Sequence, residues 1–243
     1  MSRNFDLLAE IEREREPVSE NGRPGEASVR PITEDRTTSN DTPENLEMFR
    51  LVTTIFLSGQ QDSPRQVVFA GVDGDGESSS VCAHAARILS GRTLKPVCVV
   101  DANVGSARLS HIFGIERKTS SSAKSVREQC AQIGPNLWLA GTDLMSDARG
   151  ELLPIEELKH RLAQLGDVFE YLLIDAPGAR VSKDAELLAL AADAAVLVVE
   201  ANKTRRTSAA KAKESFEAAG IRLLGTVLNN RSFPIPEKLY RLL

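Results

Sequence analysis

The chain lacks any uninterrupted apolar run of the roughly 18 residues that a membrane-spanning helix needs, and its opening MSRNFDLLAEIERERE holds no apolar core of signal-peptide length. A soluble, cytoplasmic protein with no span of its own is expected. Cysteine is scarce: Cys82, Cys98 and Cys130 are odd in number, far apart and never in CxxC spacing, which disfavours a disulfide framework or a zinc site and suits a reducing compartment. His84 lies close to Cys82, but no third ligand is near in sequence, so no metal is assigned to Cys or His. Aromatic residues make up only 5% of the chain and the net charge is -4, which leaves neither a base-stacking surface nor a basic field for nucleic acid. No internal repeat is present.

Apolar residues are also sparse between positions 14 and 46, where Pro, Gly, Ser, Thr, Asn and charged residues dominate and cannot offset the entropy of ordering the chain. Residues 1–43 are therefore read as a flexible N-terminal region. Within it Phe5, Leu8 and Ile11 recur at helical intervals, as in a short helix that either docks on a partner or frays in water. The 243 residues then leave room for one α/β domain, residues 44–243.

From Gln66 onward, nearly continuous apolar runs alternate with helix-like segments. The runs are VVFAG, PVCVVD, LWLAG, YLLID, AAVLVVE and IRLLGTVLN, and the helical stretches are Ser78–Leu89, Ile155–Leu165, Asp184–Ala192 and Thr207–Ala219. Gly220 is a natural stop for the last of these. This is the pattern of a doubly wound, mostly parallel sheet of about seven strands with helices on both faces. Ligands in such sheets lie beyond the carboxyl ends of the strands, which singles out Asp101 and Asp175, each closing an apolar run.

What is present at the first of these strand ends is a phosphate-binding skeleton. In VVFAGVDGDGESSSVCAHAARIL, Gly71, Gly74 and Gly76 free backbone N–H groups to converge on an anion, and Ser78, Ser79 and Ser80 open a helix whose N-terminus adds partial positive charge. An ordinary strand-to-helix turn has the same glycines, so the loop is weak as a signal by itself.

Several motifs in order make it stronger. VCVVDANVGSARLSHIFGI, FEYLLIDAPGARVSKDAELLALAADAAVLVVEANKTRRTSA and AGIRLLGTVLNN follow the loop, and together the four stretches resemble the bacterial tyrosine kinases (BY-kinases) of capsule and exopolysaccharide synthesis, a branch of the MinD/ParA-like P-loop ATPases. The resemblance covers residues 45–243 and implies a P-loop NTPase-like fold with ATP or ADP and magnesium as cofactors. On it, Asp175 matches the Walker B acid and Ser78 the hydroxyl that hold magnesium, Asp101 the first acid of the second motif, Asn229 the adenine contact, and Gly71, Gly74, Gly76, Ser78 and Ser79 the nucleotide cradle. Asp101 and Asp175 are thus the catalytic residues if the protein is active.

The departures are as informative. Glu77 stands at the loop lysine, Asn103 at the second motif's second aspartate and Gly105 at a nearby arginine, while Asp73 and Asp75 add acid to the loop. Phosphoryl transfer depends on positioning and charge stabilisation, and the lysine is the main cation. Unit charges at about 4 Å interact by about 4 kcal/mol at an effective dielectric near 20, so turning attraction into repulsion costs up to about 8 kcal/mol. Half of that weakens binding roughly a thousandfold. The expectation is weak or absent nucleotide binding and degraded catalysis, with Arg180 and Lys183 as candidate replacement cations.

Residues 44–57, ENLEMFRLVTTIFL, resemble the family helix whose E-x-x-R-x-x-R pattern supports ring-like self-association. Glu47 and Arg50 match and Thr53 replaces the last arginine, leaving a homo-oligomer and a plain amphipathic cover helix both open. The family's C-terminal tyrosine cluster is missing: only Tyr171 and Tyr240 are present. The resemblance further implies a membrane polysaccharide co-polymerase, or chain-length protein, as partner, bringing the chain to the inner membrane peripherally. The apolar ending FPIPEKLYRLL packs on the domain or docks on such a partner. The favoured role is a regulatory or binding subunit; the alternatives are an active kinase or ATPase with a relocated cation, and a nucleotide-switched positioning protein of the MinD/ParA type.

Overall fold

The computed structural model describes residues 43–59, 62–74, 77–106, 108–115 and 125–230. The expectations for the N-terminal region, for Asp75, Gly76 and the Glu77 side chain, and for Tyr240 and the apolar ending lie outside the described residues.

Seven strands form one sheet: β1 (Gln66–Gly71), β2 (Val97–Asp101), β3 (Ala131–Gly134), β4 (Leu137–Ala140), β5 (Tyr171–Ala176), β6 (Ala194–Glu200) and β7 (Leu223–Asn229). Their order is β3-β4-β2-β5-β1-β6-β7, and every pairing is parallel except the edge pair β3–β4. The expected doubly wound α/β class is therefore correct. The runs are continuously apolar because both faces of each strand are covered. On β1, Val68 and Ala70 join the core on one side while Val67 and Phe69, all fully buried, join the other.

One face carries α1 (Pro43–Phe56), α2 (Glu77–Ser90) and α3 (Arg108–Ile112). Helix α2 buries Cys82, Ala83, Ala85 and Ala86, small side chains that let its axis approach the central strands closely. Helix α1 packs over α2 through Val52, Ile55 and Phe56, and the Phe56 ring meets Tyr171 edge-on with centroids 5.7 Å apart. Its Glu47 and Arg50 face solvent while Thr53 is half-buried, so the helix covers the core on one side and leaves Glu47 and Arg50 exposed on the other.

The opposite face holds α4 (Ile155–Gly166), α5 (Asp184–Ala191) and α6 (Arg206–Ala218). Leu158, Leu162 and Leu165 of α4 recur at helical intervals and are buried, as are Ser208, Ala212 and Phe216 of α6. The α6 chain reverses at Gly220, whose φ of +73° lies in the left-handed region that favours glycine.

Strand β3 has no counterpart among the six expected runs. Its four residues, AQIG, lie half-buried or exposed at the sheet edge and are broken by a register shift, so the alternation of Ala131, Gln132 and Ile133 is too short to be read as a strand. Helix ends differ from expectation by a residue at most, as at Glu77 and Ala191. No described helix is long and apolar enough to cross a membrane.

Candidate phosphate and metal site

Strands β2 and β5 are neighbours and their final register pairs include Asp101 with Asp175. The fold thereby sets two acids side by side at the carboxyl edge of the sheet, and both are fully buried. Their positions at two strand ends suggest one shared cleft from the sequence, and the parallel pairing of β2 with β5 supplies the register that sets them side by side.

Helix α2 completes the cluster because its first turn lies over β5. Ser78 Oγ donates to Asp175 Oδ1 at 3.0 Å and Ser79 Oγ donates to Oδ2 at 2.5 Å. One helical turn later, burial raises the Cys82 thiol well above its usual range, with the charges of Asp175 and Asp101 adding to the effect. Burial also pushes Asp175 up to about 7. The Ser79 hydrogen bond pulls it down, the Asp101 charge pushes it up, and the Ser78 hydrogen bond and the Arg108 charge oppose that rise.

A buried carboxylate that resists ionisation, beside a second acid and two hydroxyls, is a set of hard oxygen donors that a magnesium ion would suit. The donor chemistry thus fits the metal, with Asp175 and Ser78 as the residues that would hold it. The fold places Asp101, Asp175, Ser78 and Ser79 together, and Gly71 opens the loop leading to them. Asn229 ends β7, two strand spacings or about 10 Å from β1 at the same sheet edge. It pairs in register with Glu200, and its carbonyl accepts a hydrogen bond from the Ala201 N–H at 2.9 Å.

The loop's neighbours come from the segment after β5. Ala179 N–H donates to the Gly71 carbonyl at 2.8 Å and Arg180 N–H to the Val72 carbonyl at 3.2 Å. A Cβ added to Gly178 would sit 2.6 Å from the Asp73 carbonyl oxygen, and one added to Gly74 would sit 2.8 Å from Val181 Cγ2. Glycine is required at 178 by this approach of two backbones.

The two candidate replacement cations separate here. Arg180 Nη1 lies 3.2 Å from Asp73 Oδ1 in the loop and 3.0 Å from Ser208 Oγ. Lys183 Nζ is instead 2.7 Å from Glu186 Oε1 and 3.2 Å from Ser215 Oγ, tying α5 to α6. Lys183 as a phosphate-loop cation is therefore set aside: its partner Glu186 follows within a helical turn and captures it. Arg180 is at the loop, but shared with an acid.

Arg108 was missed in the sequence. It opens α3 just beyond the second motif, and its charge acts on Asp175. The available signal was its place at the first turn after the strand ending in Asp101. Nothing steric explains the glycine nearby: a Cβ at Gly105 would meet no atom within 4 Å.

No family model matches the chain. It is 25% identical over 193 residues to the protein named tyrosine-protein kinase YwqD of Bacillus subtilis (strain 168), covering 77% of this chain and 81% of that protein. Its fold resembles that of the chimerical protein CapA2B2, with a TM-score of 0.67 and 19% identity over 81% of this chain and 88% of the other. The structure of the MinC:MinD cell division protein complex of Aquifex aeolicus gives a TM-score of 0.55 at 18% identity, covering 69% of each chain. These structural likenesses speak for the fold, an α/β P-loop NTPase-like one.

Proposed function

The chain is a relative of the bacterial tyrosine kinases within the MinD/ParA-like P-loop ATPases, and from that premise we propose that it acts in capsule or exopolysaccharide synthesis as a binding or regulatory subunit with degraded catalysis. Domain 44–243 carries this role. The chain is cytoplasmic and reaches the inner membrane through a membrane co-polymerase partner.

One observation carries the reading. The acids and hydroxyls suited to magnesium are retained as a buried cluster, yet Glu77 occupies the lysine position and the nearby Arg180 is shared with Asp73. The metal half of the machinery is kept while the cation half, which stabilises the charge developing on the phosphoryl group, is depleted.

ATP with magnesium, when bound, supplies the transferable phosphoryl group. Asp175 and Ser78 would hold the ion, the backbone after Gly71 would face the phosphates, and Asn229 would contact the base. Asp101 adds negative charge beside Asp175. None of these groups replaces the missing lysine.

Titration calorimetry of the full chain with Mg-ATP and Mg-ADP tests the reading. Weak or undetectable heat is expected. Low-micromolar affinity together with turnover would overturn it and favour a second reading, an active kinase or ATPase with a relocated cation. Arg108 is the observation behind that second reading, because its charge already acts on Asp175. In that case Arg108→Ala would abolish turnover while leaving thermal unfolding unchanged.

A further inference from the structure

A cleft of about 430 Å³ opens between the phosphate loop, the segment after β5 and the start of α6, lined by Asp73, Arg180, Lys203, Arg205, Ser208 and Lys211, with Thr207 beside them. Its volume lies within the roughly 300 to 1,000 Å³ typical of small-molecule sites. Four of these side chains are cationic and one is acidic, in a chain whose net charge is -4, so the positive field is local.

The cations are not all spent on acids. Arg180 is held by Asp73 and Ser208, and Lys203 lies 2.9 Å from Glu200 Oε2. Arg205 and Lys211 make no ion pair among the described residues. Helix α6 begins at the cleft with Thr207 and Ser208 in its first turn, without a side-chain cap and without an acid there. Its N-terminal partial charge therefore adds to that of the four side chains.

The lining also limits the ligand. No aromatic or aliphatic side chain takes part, so nothing stacks on a base or receives an acyl chain. What the cleft recognises is compact negative charge with several oxygen acceptors. Two acid-free cations, a pre-positioned guanidinium and a helix N-terminus match a ligand with two linked phosphates better than a single carboxylate.

We propose that this cleft binds a small, multiply charged phosphate ligand of the diphosphate class. The site is separate from the cluster at Asp175, and the proposal does not depend on whether the phosphate loop binds nucleotide. Two sources share the chemistry: a free diphosphate, and the diphosphate tail of a nucleotide.

The experiment is titration calorimetry of the full chain with inorganic pyrophosphate at low salt, repeated with ADP. One saturable site for pyrophosphate is expected. The double variant Arg205→Glu/Lys211→Glu should weaken it at least about tenfold, since two exposed cations are reversed. Lys95→Glu/Lys213→Glu makes the same change of charge on exposed positions outside the cleft and away from the first turn of α6, and should keep nearly full affinity. Matching thermal unfolding of all three proteins shows that the fold is retained.

Absence of saturable pyrophosphate binding by the unaltered chain would overturn the proposal. So would equal losses in the two double variants, which would reduce the effect to general charge, or binding that ignores Arg205→Glu/Lys211→Glu but responds to Glu77→Lys. With the site established by the pyrophosphate arm, a parallel loss for ADP identifies a nucleotide tail as the source. ADP binding unchanged by the cleft variant identifies a free diphosphate.

Discussion

Replacing Asp175 with Asn should stabilise the ligand-free protein progressively as pH rises. The carboxyl is fully buried and is pushed up to about 7 from an ordinary 3.8, chiefly by burial. A raised folded-state pKa means that the folded protein holds this proton more tightly than the unfolded chain does. Its contribution to stability is therefore fully present below the unfolded pKa, is lost as pH climbs, and levels off above about 7. Over the whole interval the loss is about 4 kcal/mol, and between about pH 5 and about pH 8 it is about 2.5 kcal/mol. Asn carries no such proton. It costs something constant, because Ser78 and Ser79 must rearrange around an amide, but that cost does not vary with pH. Removing the Asp175 charge also lifts its repulsion on Asp101, so both effects share a sign. The assay is thermal unfolding of both proteins in magnesium-free buffer at the two pH values. The melting temperature of the variant relative to the unaltered protein should rise by about 5–10 °C from the lower pH to the higher, the span expected for a domain of this size. A gap that does not change with pH, or one that moves the other way, would refute the assignment of Asp175 as the buried acid that resists ionisation.

Glu77→Lys should improve Mg-ADP affinity at least about tenfold by calorimetry, because it exchanges a repulsive charge for an attractive one; no change would mean that the loop does not receive phosphate. Gly178→Ala should lower stability by about 1–3 kcal/mol in denaturant unfolding, since its Cβ would lie 2.6 Å from the Asp73 carbonyl oxygen and two backbone segments must part. Lys183→Ala should leave nucleotide affinity and any turnover unchanged, because its ammonium serves Glu186 and Ser215; a loss measured by calorimetry or turnover would return it to the site. Mass spectrometry after expression with a membrane partner should find little phosphate on Tyr171, which begins β5 and packs its ring against Phe56.

Much of the fold was legible because buried parallel strands need apolar residues on both faces and so write themselves as continuous runs; VVFAG and AAVLVVE could be read without a partner. Strand β3 could not, since a short edge strand such as AQIG gains its place from pairing with β4 rather than from its own side chains. The site divides in the same way. Glycines, serines and strand-terminal acids marked the loop and singled out Asp101 and Asp175, and the substitution at Glu77 was visible as soon as the loop was aligned in kind. The role of each cation was not visible. Arg180 and Lys183 are near neighbours in one loop, yet one bridges Asp73 and Ser208 while the other is captured by Glu186. Arg108 influences Asp175 from a helix that the runs did not announce. By itself the sequence determined the sheet class and the glycine- and serine-rich turn between β1 and α2, because these depend on local periodicity and residue type. Only the tertiary structure decided which charges meet, because electrostatic partnership depends on distances across strands and helices that lie far apart along the chain.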